Sequence, residues 1–156
     1  MPDLVAAATS LASPAPYGAD GLDWFAGIGQ DNVDDFRLYL EDPDAARAKT
    51  GQDREMLLAA SASDLVQALE SLPISADLAV LKGAAEHFAY AAHEGLAPGS
   101  QGWWDDGCAQ LGSWGFGLAE ISIPVLLMHG RQDKFVPFGH GQWLAAHPRG
   151  SKPGCR

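Results

Sequence analysis

Asp133 is the residue around which a site could be built. The apolar run Ile123-Pro-Val-Leu-Leu-Met128 leads through His129-Gly130 into a polar turn, Arg131-Gln132-Asp133, which Val136-Pro137 closes. Proline fixes φ and so sets the direction in which the chain leaves such a turn. The run has the length and composition of a strand buried on both faces, as inside a parallel sheet. An acid just beyond the carboxyl end of such a strand stands where open α/β sheets place their chemistry. The same aspartate could instead be a turn residue bonded to nearby backbone amides. The sequence leaves both roles open.

Other residues with chemical potential are scattered. His129 closes the run and reads as a structural hydrogen-bonding residue rather than a base. His140 and His147 fall within or at the end of the following helix; His87 and His93 lie on an earlier one, and for those two packing is the plainer role. Glu86 and His87 are adjacent on that helix and so do not face each other. Asp105-Asp106 beside Trp103-Trp104 could line a pocket or bind a cation, yet aspartates near a helix start commonly serve as caps. Trp24, Phe25, Trp103, Trp104, Trp114 and Phe116 could shape an apolar pocket or simply hold helices together. No phosphate loop, zinc spacing or calcium loop is present, so neither cofactor nor metal is expected.

The elements that must position these residues follow from periodicity. Residues 4–12 are small and apolar and could form a strand or a short helix; their abrupt exit into Ser13-Pro14-Ala15-Pro16 favours a second buried strand. Residues 17–29 form a glycine-rich loop with aromatic anchors. Asp31 can cap a helix with Val33, Phe36, Arg37 and Leu40 on one face. Asp42 followed by Pro43 predicts another, ending near Gly51. Met56-Leu57-Leu58 suggests a further short piece. Ser63 can cap a helix carrying Leu65, Val66, Leu69 and Leu72, ended by Pro73. Ser75 opens a longer one with Leu78, Leu81, Ala85, Phe88 and Ala92 inward, closed by Gly95. Trp103 to Asp106 open a short helical piece, and the last helix covers residues 138–146. Residues 151–156 show no periodicity. The order is strand, long helical stretch, strand, helix.

Composition bounds the function. With 156 residues, 47% of them hydrophobic, the chain can bury the core of one domain. A formal net charge of -10 and a pI near 4.6 argue against nucleic acid and anionic membrane surfaces as partners. No apolar run reaches the ~18–20 residues of a membrane span. Residues 4–12 follow Asp3 with no basic residue before them, so they make a poor signal peptide. Cys108 and Cys155 suggest neither a disulfide framework nor a metal site, and the expected compartment is the reducing cytoplasm.

The pattern from Ile123 to Pro137, an apolar strand, His-Gly, two variable residues, Asp, two more and Val-Pro, resembles the late strand and acid turn of α/β-hydrolases, particularly the proline-iminopeptidase and esterase-like branch. The resemblance implies an α/β fold, in incomplete form: two parallel core strands with a large helical cap between them. It maps residues 1–16 to a core strand, 17–117 to the cap, and 118–150 to the second core strand, acid turn and following helix, leaving 151–156 as an atypical tail. It makes Asp133 the triad acid, which would accept a hydrogen bond from a histidine and hold its tautomer during acyl transfer.

The family's nucleophile lies in Gly-x-Ser-x-Gly on a tight strand-to-helix turn. Neither Ser100 nor Ser113 has glycines two residues away on both sides, and both follow the first strand, whereas the family elbow precedes it. The general base would follow one more strand beyond Asp133, and His140 and His147 come too early for that. The expectation is therefore a catalytically incomplete part of a serine hydrolase whose complete relatives cleave esters, amides or N-terminal peptide bonds of small-molecule or peptide substrates. The alternative is a non-catalytic helical binding module that self-associates through exposed sheet edges. A third reading has the serine and histidine supplied in trans.

Overall fold

The structure is a computed structural model that describes residues 4–69 and 75–147. The chain is an α/β arrangement: a two-stranded parallel sheet whose strands are separated in sequence by a long run of helices. It divides into two compact units, Met1–Ile28 with Gln110–Arg156, and Gly29–Ala109. The expected cap spanned residues 17–117, whereas residues 17–28 and 110–117 cluster with the strands.

The first unit is built on β1 (Ala8–Leu11) and β2 (Val125–Met128), paired in parallel with Ala8 opposite Val125 and Leu11 opposite Met128. β1 is shorter than the expected residues 4–12, because Ala12 adopts φ 46° and turns the chain out of the ladder. That left-handed conformation is costly for a residue with a β-carbon. The amide of Ala12 still bonds to the Met128 carbonyl at 2.8 Å. Helix α7 (Phe138–Ala146) forms where expected and packs on β2.

β2 is not buried on both faces. Val125 and Leu127 are half-buried, whereas Leu126 and Met128 are 49% and 53% exposed. Leu126 pairs with Thr9 and Met128 with Leu11, which is 66% exposed, so one face of the sheet is bare. The run of apolar residues signalled a two-faced strand, but α7 covers one face only. Both outer edges of this two-stranded sheet are open. The core of the unit consists of Ala15, Trp24, His140 and Leu144.

The second unit is helical: α1 (Gln30–Glu41), α2 (Pro43–Ala59), α3 (Ala62–Leu69), α4 (Ser75–Gly83), α5 (Ala85–Leu96) and α6 (Gln101–Leu111), which runs two residues past the unit's boundary. α1 packs on α2, and α2, α3 and α4 pack on α5. Asp42 caps α2 through the Ala45 amide at 3.0 Å, with Pro43 in the first turn, as its sequence predicts. Several local expectations differ. α2 continues through Gly51 and absorbs Met56-Leu57-Leu58, since one glycine costs only ~1 kcal/mol in a helix interior and the buried Thr50 anchors that turn. Gly29, not Asp31, stands at the start of α1.

The start of α3 is held by Ser61 rather than Ser63. The Asp64 amide donates to the Ser61 hydroxyl at 3.3 Å and the Ser61 amide to Asp64 Oδ2 at 2.9 Å, a reciprocal box. The Ser61 hydroxyl, which also donates to Asp64 Oδ2 at 2.6 Å, and then the Ser61 amide hold the Asp64 carboxyl below its ordinary pKa. The long helix expected from Ser75 is two, separated at Ala84. Phe88 and Leu40 are 37% and 41% exposed instead of inward. Asp105 and Asp106 lie within α6 rather than capping it, and Asp105 accepts a bond from Gln101 at 2.7 Å. Leu72, Pro73, the Ser75 side chain and residues 151–156, Cys155 among them, lie outside the described residues.

Two aromatic clusters carry packing. In the helical unit Tyr39 stacks on Trp104, with ring centroids 5.0 Å apart, and its hydroxyl bonds to Thr50 at 3.1 Å. Gly107 is required there, because a β-carbon would overlap the Tyr39 ring. In the sheet unit Trp24 stands edge-on to Tyr17, Phe25 and His140. The acidic surplus of the chain falls within Gly29–Ala109, while acids and bases balance in the remainder.

Candidate active site: the acid turn beyond the second strand

Both parallel strands end on the same side of the sheet, which brings residues 12–15 and the 129–137 turn to one edge. The turn is tied by its own aspartate. Asp133 Oδ1 accepts from the amides of Phe135 at 2.9 Å and Val136 at 2.8 Å. This is the backbone-bonding role that the sequence left open beside the acid role. It commits one oxygen only. Oδ2 faces His129 Nε2 at 4.0 Å, too far for a hydrogen bond, and takes none among the described residues. The Asp133 side chain is 16% exposed.

His129 is a structural residue. Its Nε2–H donates to the Val136 carbonyl at 2.7 Å, and its side chain is only 6% exposed. Its ring lies against α7, where a β-carbon on Gly141 would stand 2.6 Å from Nδ1. Phe138 meets the same ring edge-on at 6.0 Å, and Arg131 covers the Phe138 ring at 5.5 Å. On the far side, Gly27 adopts φ 90°, and a β-carbon there would approach Pro137 to 3.3 Å. Val136-Pro137 is thus gripped between the histidine and a glycine-bearing loop. An aspartate and a histidine stand together here, yet the histidine is occupied.

Sequence reasoning gave His140 no role, but it is the largest fully buried side chain described. Its Nδ1 accepts the Ala15 amide at 3.1 Å, and its Nε2–H donates to the Trp24 carbonyl at 2.9 Å. Trp24 completes a ring of bonds by donating from Nε1 to the Ala15 carbonyl at 2.8 Å. Burial lowers the pKa of His140; the Trp24 carbonyl opposes this and His129 adds to it. No sequence pattern identified its partners.

Each of the remaining candidates has its own local surroundings. In the sheet unit, the Ser113 hydroxyl accepts the Gly115 amide at 3.3 Å, and His147 stacks on Trp143 with centroids 3.8 Å apart. In the helical unit, the Ser100 carbonyl accepts the Trp104 amide and His93 Nε2 donates to the Leu57 carbonyl at 3.2 Å, while His87 and Glu86 are exposed. Among the described residues no three His, Cys, Asp or Glu are placed to hold a metal ion. No helix among them is long and apolar enough to cross a membrane. No protein-family model, curated protein or solved structure matches the chain.

Proposed function

We propose that residues 121–137 form the acid turn of an α/β-hydrolase, with Asp133 as the triad acid acting through Oδ2. One observation carries this reading. Two backbone amides hold Oδ1, which orients the carboxylate rigidly at the carboxyl end of a parallel strand and leaves the second oxygen unbonded. In acyl transfer such an oxygen accepts the Nδ1–H of a catalytic histidine, fixes its tautomer and stabilises the imidazolium. The reaction class is cleavage of an ester, amide or N-terminal peptide bond. No described residue bonds to Oδ2, and the neighbouring His129 is bonded to Val136, so on this reading these residues supply one third of a triad and the chain by itself does not turn over. An exposed free Cys108 fits the reducing cytoplasm as its compartment.

Ester hydrolysis by the purified chain, on p-nitrophenyl butyrate and an aminoacyl p-nitroanilide, tests the incompleteness. Turnover equal to that of Asp133→Asn is expected, and activity that vanishes in the variant would overturn it. The hydrolase ancestry is tested on the flanking DNA. The absence of an upstream frame encoding Gly-x-Ser-x-Gly between a strand and a helix would remove its support.

The bare sheet face favours a second reading, a non-catalytic module that self-associates. Leu11, Leu126 and Met128 present an apolar strip between two unpaired strand edges. Size-exclusion chromatography over a concentration series separates the readings: a discrete dimer supports the module, and a monomer at all concentrations counts against it.

A further inference from the structure

We propose that His140 is a pH-sensitive latch, holding residues 15–24 onto α7 when neutral and releasing them on protonation. The inference is independent of the hydrolase reading. Its basis is that the two hydrogen bonds of this ring demand opposite things of its nitrogens. Nε2 must carry a proton, because its partner is the Trp24 carbonyl, and Nδ1 must not, because its partner is the Ala15 amide. Only one neutral tautomer satisfies both. A second proton on Nδ1 would turn the Ala15 contact from attraction into an opposition of two N–H groups at 3.1 Å. The charged ring would also be enclosed, since His140 is 1% exposed, and an unpaired buried charge is strongly disfavoured.

Among the described residues the hydrogen-bond partners of the His140 ring are both backbone groups, and no carboxylate bonds to it. From the end of β2 the facing titratable group is His129, whose influence also opposes the charge. Asp133, in the turn, stands at 4.0 Å from His129 and accepts from the Phe135 and Val136 amides. From the 15–24 segment the titratable residues are Tyr17, Asp20 and Asp23. Tyr17 meets the Trp24 ring at 5.6 Å, and Asp20 accepts the Trp143 indole through its backbone carbonyl at 2.8 Å. On α7 itself the nearest is His147, stacked on Trp143. Acidification therefore costs the ring both its hydration and the Ala15 bond, and opening of the segment relieves both.

The segment that would be freed is the only described connection from β1 to α1. The Trp24 indole bond to the Ala15 carbonyl lies within that stretch, so the two bonds of His140 are the ones that fasten it to α7. The latch is a triangle of Ala15, Trp24 and His140 in which only the histidine's two sides open on protonation.

The test is amide hydrogen exchange at Ala15, corrected for intrinsic rates, at pH 7.5 and pH 5.0, with Val33 in the helical unit as reference. Wild-type protection at Ala15 should fall by ~10-fold or more, the factor equivalent to one pKa unit, while Val33 holds. His140→Asn, which offers an amide oxygen near the Nδ1 position but cannot titrate, should show no such difference between the two pH values. Equal protection of Ala15 at both pH values in the wild type would overturn the latch, as would a parallel fall in His140→Asn. Should that variant not fold, the wild-type ring-nitrogen NMR titration decides alone: Nδ1 must gain its proton in step with the loss of Ala15 protection.

Discussion

Asp133 and His129 face each other at 4.0 Å without bonding, because both already serve Val136: the histidine binds its carbonyl and the aspartate its amide. The pair has the composition of a catalytic dyad and the behaviour of a clamp. Its rigidity comes from pinning one residue at both backbone ends, and its chemical potential from the single oxygen left over.

Replacement of Asp133 separates the clamp from the acid. Asp133→Asn keeps an oxygen for the Phe135 and Val136 amides and should lose less than ~1 kcal/mol of stability. Asp133→Ala leaves both amides without their acceptor and should lose about 1–3 kcal/mol. Urea denaturation of the three proteins checks the order. In any preparation that does hydrolyse esters, Asn and Ala should be equally inactive despite their different stabilities.

Gly141 is a spacer for His129. Gly141→Ala would place a β-carbon 2.6 Å from Nδ1 and 2.9 Å from the His129 β-carbon, so strain of about 1–3 kcal/mol is expected. Combining it with His129→Ala should cost less than the two changes added together, since the ring atoms met at 2.6 and 2.8 Å have gone and only the β-carbon at 2.9 Å remains. A double-mutant cycle by thermal denaturation reads this directly; strict additivity would place the strain elsewhere.

Two glycine-to-alanine changes in the helical unit should have opposite signs. Gly51 lies inside α2 with open space at its β-position, so Gly51→Ala should stabilise by about 0.5–1 kcal/mol through helix propensity. Gly107→Ala would overlap Tyr39 and disturb its stack on Trp104 and its bond to Thr50, and should destabilise by about 1–3 kcal/mol. Melting temperatures of both variants suffice.

Stability should fall on acidification in two separate windows. The folded-state pKa of His140 lies below the ordinary 6.5, so the unfolded chain binds the extra proton first. Stability is then full above 6.5 and declines below it, until the folded ring is itself protonated. Asp64 is depressed below 3.8 by the Ser61 bonds, so its contribution is full above that value and lost only below it. Denaturant midpoints from pH 8 to 4 should decline near neutrality in the wild type and lose that part of the decline in His140→Asn.

What the sequence revealed depended on the range of the interaction that decides each feature. Asp42-Pro43 marks a helix start because cap and first turn are contiguous. The apolar run ending at Met128 marks a strand, and Asp133 a turn, for the same reason. Residues 30–59 defeated local reading at Gly51, where propensity was outweighed by the anchoring of Thr50 and Tyr39. The bare face of β2 was illegible, since an apolar run states what could be buried and not what is there to bury it. His140 was illegible for the opposite reason: its partners lie 125 and 116 residues away and are a backbone amide and a backbone carbonyl, which every residue type but proline presents alike.

The placement of charge has a consequence for how the chain responds to its medium. A formal net charge of -10 belongs to the helical unit, and the strand-bearing unit carries none in balance. Like charges inside one compact body repel, and dissolved ions relieve that repulsion over ~8–10 Å at physiological strength. Salt is therefore felt unequally along one polypeptide. It tightens the helices, while leaving the triangle around His140 and the clamp around Val136 almost untouched.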